Sequence, residues 1–376
     1  NAIINWKNFN ISSNEAVHFQ QPEYGVCLNR VDSANGMSQI HGNLSSTANI
    51  ILINQAGILF GETAKVNIGG LIASTSDLAD QIFSSEEKYV FDQSANLHGA
   101  IINKGEITLA GNGGLVALLG NSVSNEGVIH AKSANINLIS GEKFTLDFYG
   151  NGVLQFAIDV PTTAPGLDEA GNPLAHGVEV SGEIFNDAGA VFITGKAAQG
   201  VFDNLINVSG EVHASSVTNR GGIIILRGES VGAVAITGEL NVSASGVENK
   251  AGEVLVFGEE ILVDDGAVVK ADSDIVGGNI ILGWPQGLTM DIGVPITASK
   301  TVYVGESAII SANAKIKGNG GRVAIWTADN TTFLGSASVK GGEVSGNGGL
   351  VFVYGSDTGS EQELANVDVS AANGKS

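Results

Sequence analysis

Cysteine occurs once, as Cys27, so no disulfide within the chain can contribute to the fold. A single cysteine fits a protein that passes through an oxidising compartment and avoids mispairing. Positive charge is also scarce: 18 Lys+Arg stand against 39 Asp+Glu, a net charge of −21. Such a surface repels phosphate backbones and anionic headgroups, which argues against nucleic acid as a partner. Its plainest effect is to keep a long β-rich chain soluble. No apolar run approaches the ~18 residues of a membrane span, so membrane insertion is not expected. Proline numbers six. The chain opens at Asn1 without Met and without a signal peptide, and reads as a processed product.

What is abundant is glycine, 52 in 376 residues, together with a hydrophobic class of 43%. A nine-residue pattern recurs: a polar residue, a small pair, then alternating apolar positions. It runs NGGLVALLG from Asn112, DAGAVFITG from Asp187, RGGIIILRG from Arg220 and KAGEVLVFG from Lys250. It returns as VGGNIILGW from Val276, NGGRVAIWT from Asn319 and NGGLVFVYG from Asn347. After one long first gap the starts lie about 26–43 residues apart, the spacing of solenoid repeats. A weaker element, glycine followed by alternating apolar residues, recurs between them, as at Gly105, Gly182, Gly210, Gly238 and Gly266.

Period-2 alternation predicts strands, and Gly and Asn predict tight corners. A turn of about 25–30 residues cannot bury its apolar face alone; stacking the next turn at ~4.8 Å satisfies its backbone. The fold class is all-β, a right-handed single-stranded parallel β-helix with an N-terminal β cap and extra-helical hairpin and loop excursions. A propeller blade of 40–45 residues needs about four strands, more than these turns hold. Residues 1–25 are expected to be the cap, carried by Trp6, Phe9, Ile11, Val17 and Phe19. Residues 26–145 are expected to form the first coils, 146–178 an excursion holding Pro161, Pro165 and Pro173 with a hairpin over Val153–Val160, and 179–376 the continuing coils of one solenoid. A smaller excursion over 77–98 is marked by Glu86, Glu87 and Lys88.

Catalytic and metal chemistry find little support. The six histidines (His18, His41, His98, His130, His176, His213) show no ligand spacing. Asp272 and Asp274 open a Ca²⁺-like string without its later glycine and glutamate, and Asp264-Asp265 reads as a solvated corner. No phosphate loop follows Gly320-Gly321, and no cofactor or metal is expected. A β-helix acting on polysaccharide is the enzymatic rival, since fold does not decide function. It would need paired carboxylates, or a base beside a cation. Arg227, Lys270 and Arg322 read as lacking acidic companions two residues away, so the chain is read as no enzyme.

Several strings together carry a resemblance. They are Ile4-Asn5-Trp6-Lys7-Asn8-Phe9-Asn10-Ile11, Val17-His18-Phe19, Leu28-Asn29-Arg30-Val31 and Ser38-Gln39-Ile40-His41-Gly42-Asn43-Leu44. With them go the run from Ile51 to Gly61, Gly69 to Thr75, Val123 to Ile129 and Gly320 to Trp326. The chain resembles the N-terminal domains of two-partner secretion exoproteins, the filamentous haemagglutinin and high-molecular-weight adhesin relatives, densely over 1–150 and loosely beyond. The resemblance implies a β-helix, exported across the periplasm of a Gram-negative cell to the surface or the medium. Its partner would be an outer-membrane β-barrel transporter with periplasmic recognition domains. It also implies a recognition set of Asn54, Gln55, Gly57 and Ile58 with Asn29, Arg30 and Val31. The family's Asn-Pro-Asn-Gly-Ile turn is here Asn54-Gln55-Ala56-Gly57-Ile58, which keeps the first and last preferences of a type I turn. Two other readings stay open: a shaft that itself binds host glycan or receptor, and a polysaccharide lyase or hydrolase. The chain is expected to be a monomer and to continue past Ser376.

Overall fold

A computed structural model describes residues 1–22, 24–85, 88–93, 97–147, 155–215, 221–246, 248–285, 296–355 and 366–375. Glu86, Glu87 and Val153, which the sequence reading assigned to excursions, lie outside them. The chain forms two compact units, 1–184 with 192–205 and 185–191 with 206–376.

In the first unit each coil after the opening one lays one strand on each of three faces. Asn49–Ile53 lies on the first face, Ile58–Phe60 on the second and Lys65–Ile68 on the third. Gly70–Ser74 then returns to the first, with Gly70 in parallel register beside Asn49. These early coils are shorter than the repeat suggested. Alternation decides which side chains enter the coil. Cys27, Ile50, Leu71, Val116 and Ile136 stack in one such row, all nearly inaccessible. The resulting architecture is a parallel β-helix.

The opposite side of that first face is also dry. Leu28, Ile51, Ile72 and Ala117 form a row outside the coil, yet each is buried. They are covered by a four-stranded antiparallel sheet built from both excursions. Asp77–Leu78 and Lys88–Asp92 come from one and Gln155–Val160 from the other, while Lys143–Asp147 begins three residues before the expected boundary at 146. Phe83, Tyr89, Phe91, Phe144, Leu146, Phe156 and Ile158 complete this second core. The six-residue helix Asp80–Ser85 joins the first two strands and places Phe83 in it. The loop after Val160 lies over the second face, where Leu174 packs on Leu59, Ala100 and Ile102.

The second unit repeats the three-faced coil. Its first face runs Ile223–Gly228, Glu253–Phe257, Asn279–Leu282, Arg322–Trp326 and Leu350–Tyr354, each parallel to the next. The repeated small pair now has a cause. A Cβ on Gly252, Gly278, Gly321 or Gly349 would collide with the carbonyl of the corresponding glycine one coil earlier. None of these four has positive φ. Here glycine serves close approach of stacked backbones rather than a left-handed turn.

Candidate functional site

The Asn54–Ile58 turn is the corner between the first and second faces. Gly57 N–H donates to the Asn54 carbonyl at 2.9 Å, closing the turn. Ala56 N–H donates to Asn54 Oδ1 at 3.0 Å, so the side chain oxygen supports its own turn. The amide nitrogen reaches the other way: Asn54 Nδ2 donates to the Gly36 carbonyl and to Ser38 Oγ, each at 3.0 Å. One asparagine therefore shapes its own corner and fastens it to the corner of the preceding coil. It is fully buried, as is Ile58. Gln55 and Ala56 are half-buried. Gly57 has φ +116°, and a Cβ there would strike Met37 Cε and the Ala100 carbonyl. Backbone conformation and space both demand glycine.

Asn29, Arg30 and Val31 end the first-face strand one coil earlier, with Arg30 in register with Ile53. The fold thus brings both motif segments to one corner in neighbouring coils. Asn29 is fully buried. Its Oδ1 accepts from Trp6 Nε1 at 3.0 Å and its Nδ2 donates to the Cys27 carbonyl at 3.1 Å. Beside it burial pushes the Cys27 thiol pKa up. Val31 is buried. Arg30 points out of the coil. Nε donates to Asp77 Oδ1 at 2.7 Å and Nη1 to Asn5 Oδ1 at 3.1 Å. Nη2 donates to the Leu78 carbonyl at 2.6 Å and to Asp80 Oδ1 at 2.8 Å. Asp77 and Asp80 were not singled out from sequence, and Ser38 was quoted only within a string that carries the resemblance; an acidic pair flanking Leu78 and Ala79 was the visible signal for the first two.

The opening residues make a first coil of their own. Ala2–Trp6 pairs with Val26–Val31, and Ala16–Phe19 with Asn43–Ser46, Val17 lying opposite Leu44. Phe9 and Ile11 are buried, while Trp6 and Phe19 are half-buried. Phe9 meets Trp6 edge-on at 5.3 Å and Phe19 at 6.3 Å.

Two expectations about cations are corrected. Arg227 does have an acidic companion two residues on: its Nη2 lies 2.7 Å from Glu229 Oε1, the arginine buried and the glutamate partly so. Lys270 meets Glu239 at 3.4 Å across neighbouring coils. Glu229 stands two residues after Arg227 and Asp272 two residues after Lys270, both visible in the sequence; Glu239, brought beside Lys270 from the neighbouring coil, leaves no local trace. Asp272 and Asp274 accept from Asn313 N, Ser311 Oγ and Gly246 N, so their oxygens are engaged by neighbouring coils. A cleft of about 330 Å³ is lined by Ser124, Glu126, His176, Glu179 and Ser181. Its composition suggests a hydrolytic relay, but the bonding differs. His176 Nε2 meets Glu179 at 3.2 Å and Nδ1 meets the Asn204 carbonyl at 3.1 Å. Ser124 Oγ turns to Glu126 instead. Neither ring nitrogen serves the serine, as nucleophile activation requires.

Residues 1–249 match the family model described as the TPS secretion domain. The chain belongs to the TPS secretion-domain family. As a TPS domain it implies an outer-membrane transporter as partner, and export through a Gram-negative periplasm to the surface or medium. It is similar to a heme/hemopexin-binding protein of Haemophilus influenzae, 28% identical over 83% of this chain and 31% of that protein. A second such protein, from Haemophilus influenzae strain ATCC 51907 / DSM 11121 / KW20 / Rd, is 30% identical over 61% of this chain and 24% of its own length. The chain thus spans less than a third of the curated relatives it matches. Among solved structures, the HMW1 secretion domain from Haemophilus influenzae aligns with TM-score 0.73 and 27% identity, covering 99% of this chain and 91% of that one.

Proposed function

We propose that this TPS domain is read by its transporter as an extended chain, through Asn54–Ile58 and Asn29–Val31, and that the same residues then form the first corners of the β-helix. The observation that carries this is the burial of Asn54. Its side chain is inaccessible once folded, with oxygen and nitrogen both engaged. A partner that reads it directly must do so before the corner closes. Once closed, the corner sets the register on which later coils stack, and stacking beyond the outer membrane draws the chain outward. In this reading Trp6, Phe9, Ile11 and Phe19 blunt the first coil, the molecule is a monomer, and no catalysis is involved.

The test is export with the transporter co-expressed. Asn54→Ala lowers the amount in the medium, and Gly57→Val lowers it more, because a β-branched residue is strained at φ > 0. Asp168→Ala, in the loop after Val160, leaves export intact. Equal export of all three at equal periplasmic abundance overturns the reading.

A second reading, glycan binding by the coils themselves, is favoured by one feature. Trp326, Phe352 and Tyr354 cluster on the first face of the second unit, Trp326 lying 4.4 Å from Phe352 and 5.8 Å from Tyr354. Tyr354 is half exposed. Aromatic rings offer an apolar body to a sugar face. Retention on a host-glycan array, lost on Tyr354→Ala, supports this reading; no retention discards it.

A further inference from the structure

We propose that Arg30 is a competitive latch: carboxylates on the transporter's periplasmic domain bind it in the extended chain, and Asp77, Leu78 and Asp80 withdraw it when the antiparallel sheet docks. This rests on the reading that the motif is recognised before it folds, and adds how recognition ends.

Three observations carry it. First, Arg30 has almost no capacity left in the folded chain. Four of the five guanidinium N–H donors are engaged, by Asp77, Asp80, the Leu78 carbonyl and Asn5, at 2.6–3.1 Å. An outside carboxylate therefore competes with two internal ones. Second, cations are rare where recognition is placed. Before Lys65 the only Lys or Arg residues are Lys7 and Arg30, in a chain of net charge −21. An acidic receptor site has few other handles there. Third, the displacing groups belong to another element. Asp77 lies 47 residues further along, at the start of the sheet that covers Leu28, Ile51 and Ile72. The latch closes only after that segment has arrived and docked, so release is tied to completion of the second core.

The experiment dilutes the unfolded 376-residue chain from urea onto immobilised periplasmic domain of its transporter and follows capture and release. Wild type is captured and then released as it folds. Arg30→Gln lowers capture about tenfold, the scale of one charge-assisted contact. Asp77→Asn with Asp80→Asn regains β-structure by circular dichroism but is released about tenfold more slowly. Adding Arg30→Gln to that pair restores fast release. Mere destabilisation would not be relieved by a third substitution in the same cluster. If the double variant does not refold, Asp80→Asn alone is scored in the same way. Release of the acid-to-amide variants at the wild-type rate overturns the latch while leaving recognition standing. So does unreduced capture of Arg30→Gln. Absence of any capture of the unfolded wild type overturns both.

Discussion

At the scale of single residues, burial sorts the motif by consequence. Asn54 fixes two corners through three bonds, so Asn54→Ala removes partners from buried groups as well as the bonds themselves. The expected cost is about 1–3 kcal/mol, read as a lower urea midpoint with unchanged slope. Arg227 is the sharper case. It is 4% exposed, its Nη1 has no hydrogen-bond partner, and burial lowers its pKa while Glu229 opposes that shift. Removing the companion leaves a buried charge uncompensated, so Glu229→Gln should cost about 3–5 kcal/mol. Arg227→Met should be neutral or stabilising, because it removes the charge together with its desolvation penalty. Thermal unfolding of the two variants checks the sign: a melting point lowered by Arg227→Met would mean that the pair contributes more than its burial costs.

Elements differ in what holds them. Among the described residues the opening coil is paired on one side only, and an unpaired strand edge is a template for association. Phe9→Ala should cost about 3–5 kcal/mol and promote end-to-end association, visible as a rise in light-scattering mass. Trp6→Ala should cost less, since that ring is half-buried. The third-face strand Asn366–Asp368 is held partly by charge. Lys340, bonded at 2.8 Å, lowers the Asp368 pKa to about 2, helped by bonds from Ser370. A depressed carboxylate stabilises the pairing above its unfolded pKa and loses that contribution as pH falls through its folded one. Protection of the 366–368 amides, taken relative to the intrinsic exchange rate at each pH, should therefore fall between about pH 4 and about pH 2, and Lys340→Met should weaken that dependence, leaving the part that Ser370 contributes. No change across this window would mean that backbone pairing alone holds the strand.

For the whole molecule, backbone pairing dominates. Strands carry nearly all the regular structure among the described residues, against one six-residue α-helix and one three-residue 3-10 turn. Far-UV circular dichroism should show β-structure with almost no helical signal. With a charge of −21, copies repel one another at low salt. The light-scattering mass should then stay near 38.4 kDa, and a concentration-dependent rise in the intact protein would contradict the monomer.

Several of these features were legible in the sequence because they repeat. Glycine pairs and alternating apolar residues at solenoid spacing specify stacked parallel strands, and Asn54 with Gly57 specifies a turn, each through local backbone preference and period. The continuous apolar runs Ile50–Ile53 and Val116–Leu119 carried a signal, left unused in the sequence analysis, that both sides of the first face are buried. What covers the outer side was not legible. The antiparallel sheet joins Lys88–Asp92 to Lys143–Asp147, segments with no shared repeat, and its pairing is fixed by Phe91, Phe144, Phe156 and their neighbours packing against one another. The same holds for Arg30. Its place in the chain marks a motif, but only folding brings Asp77 and Asp80 to its guanidinium, because contact across 47 and 50 residues is decided by packing and leaves no local pattern.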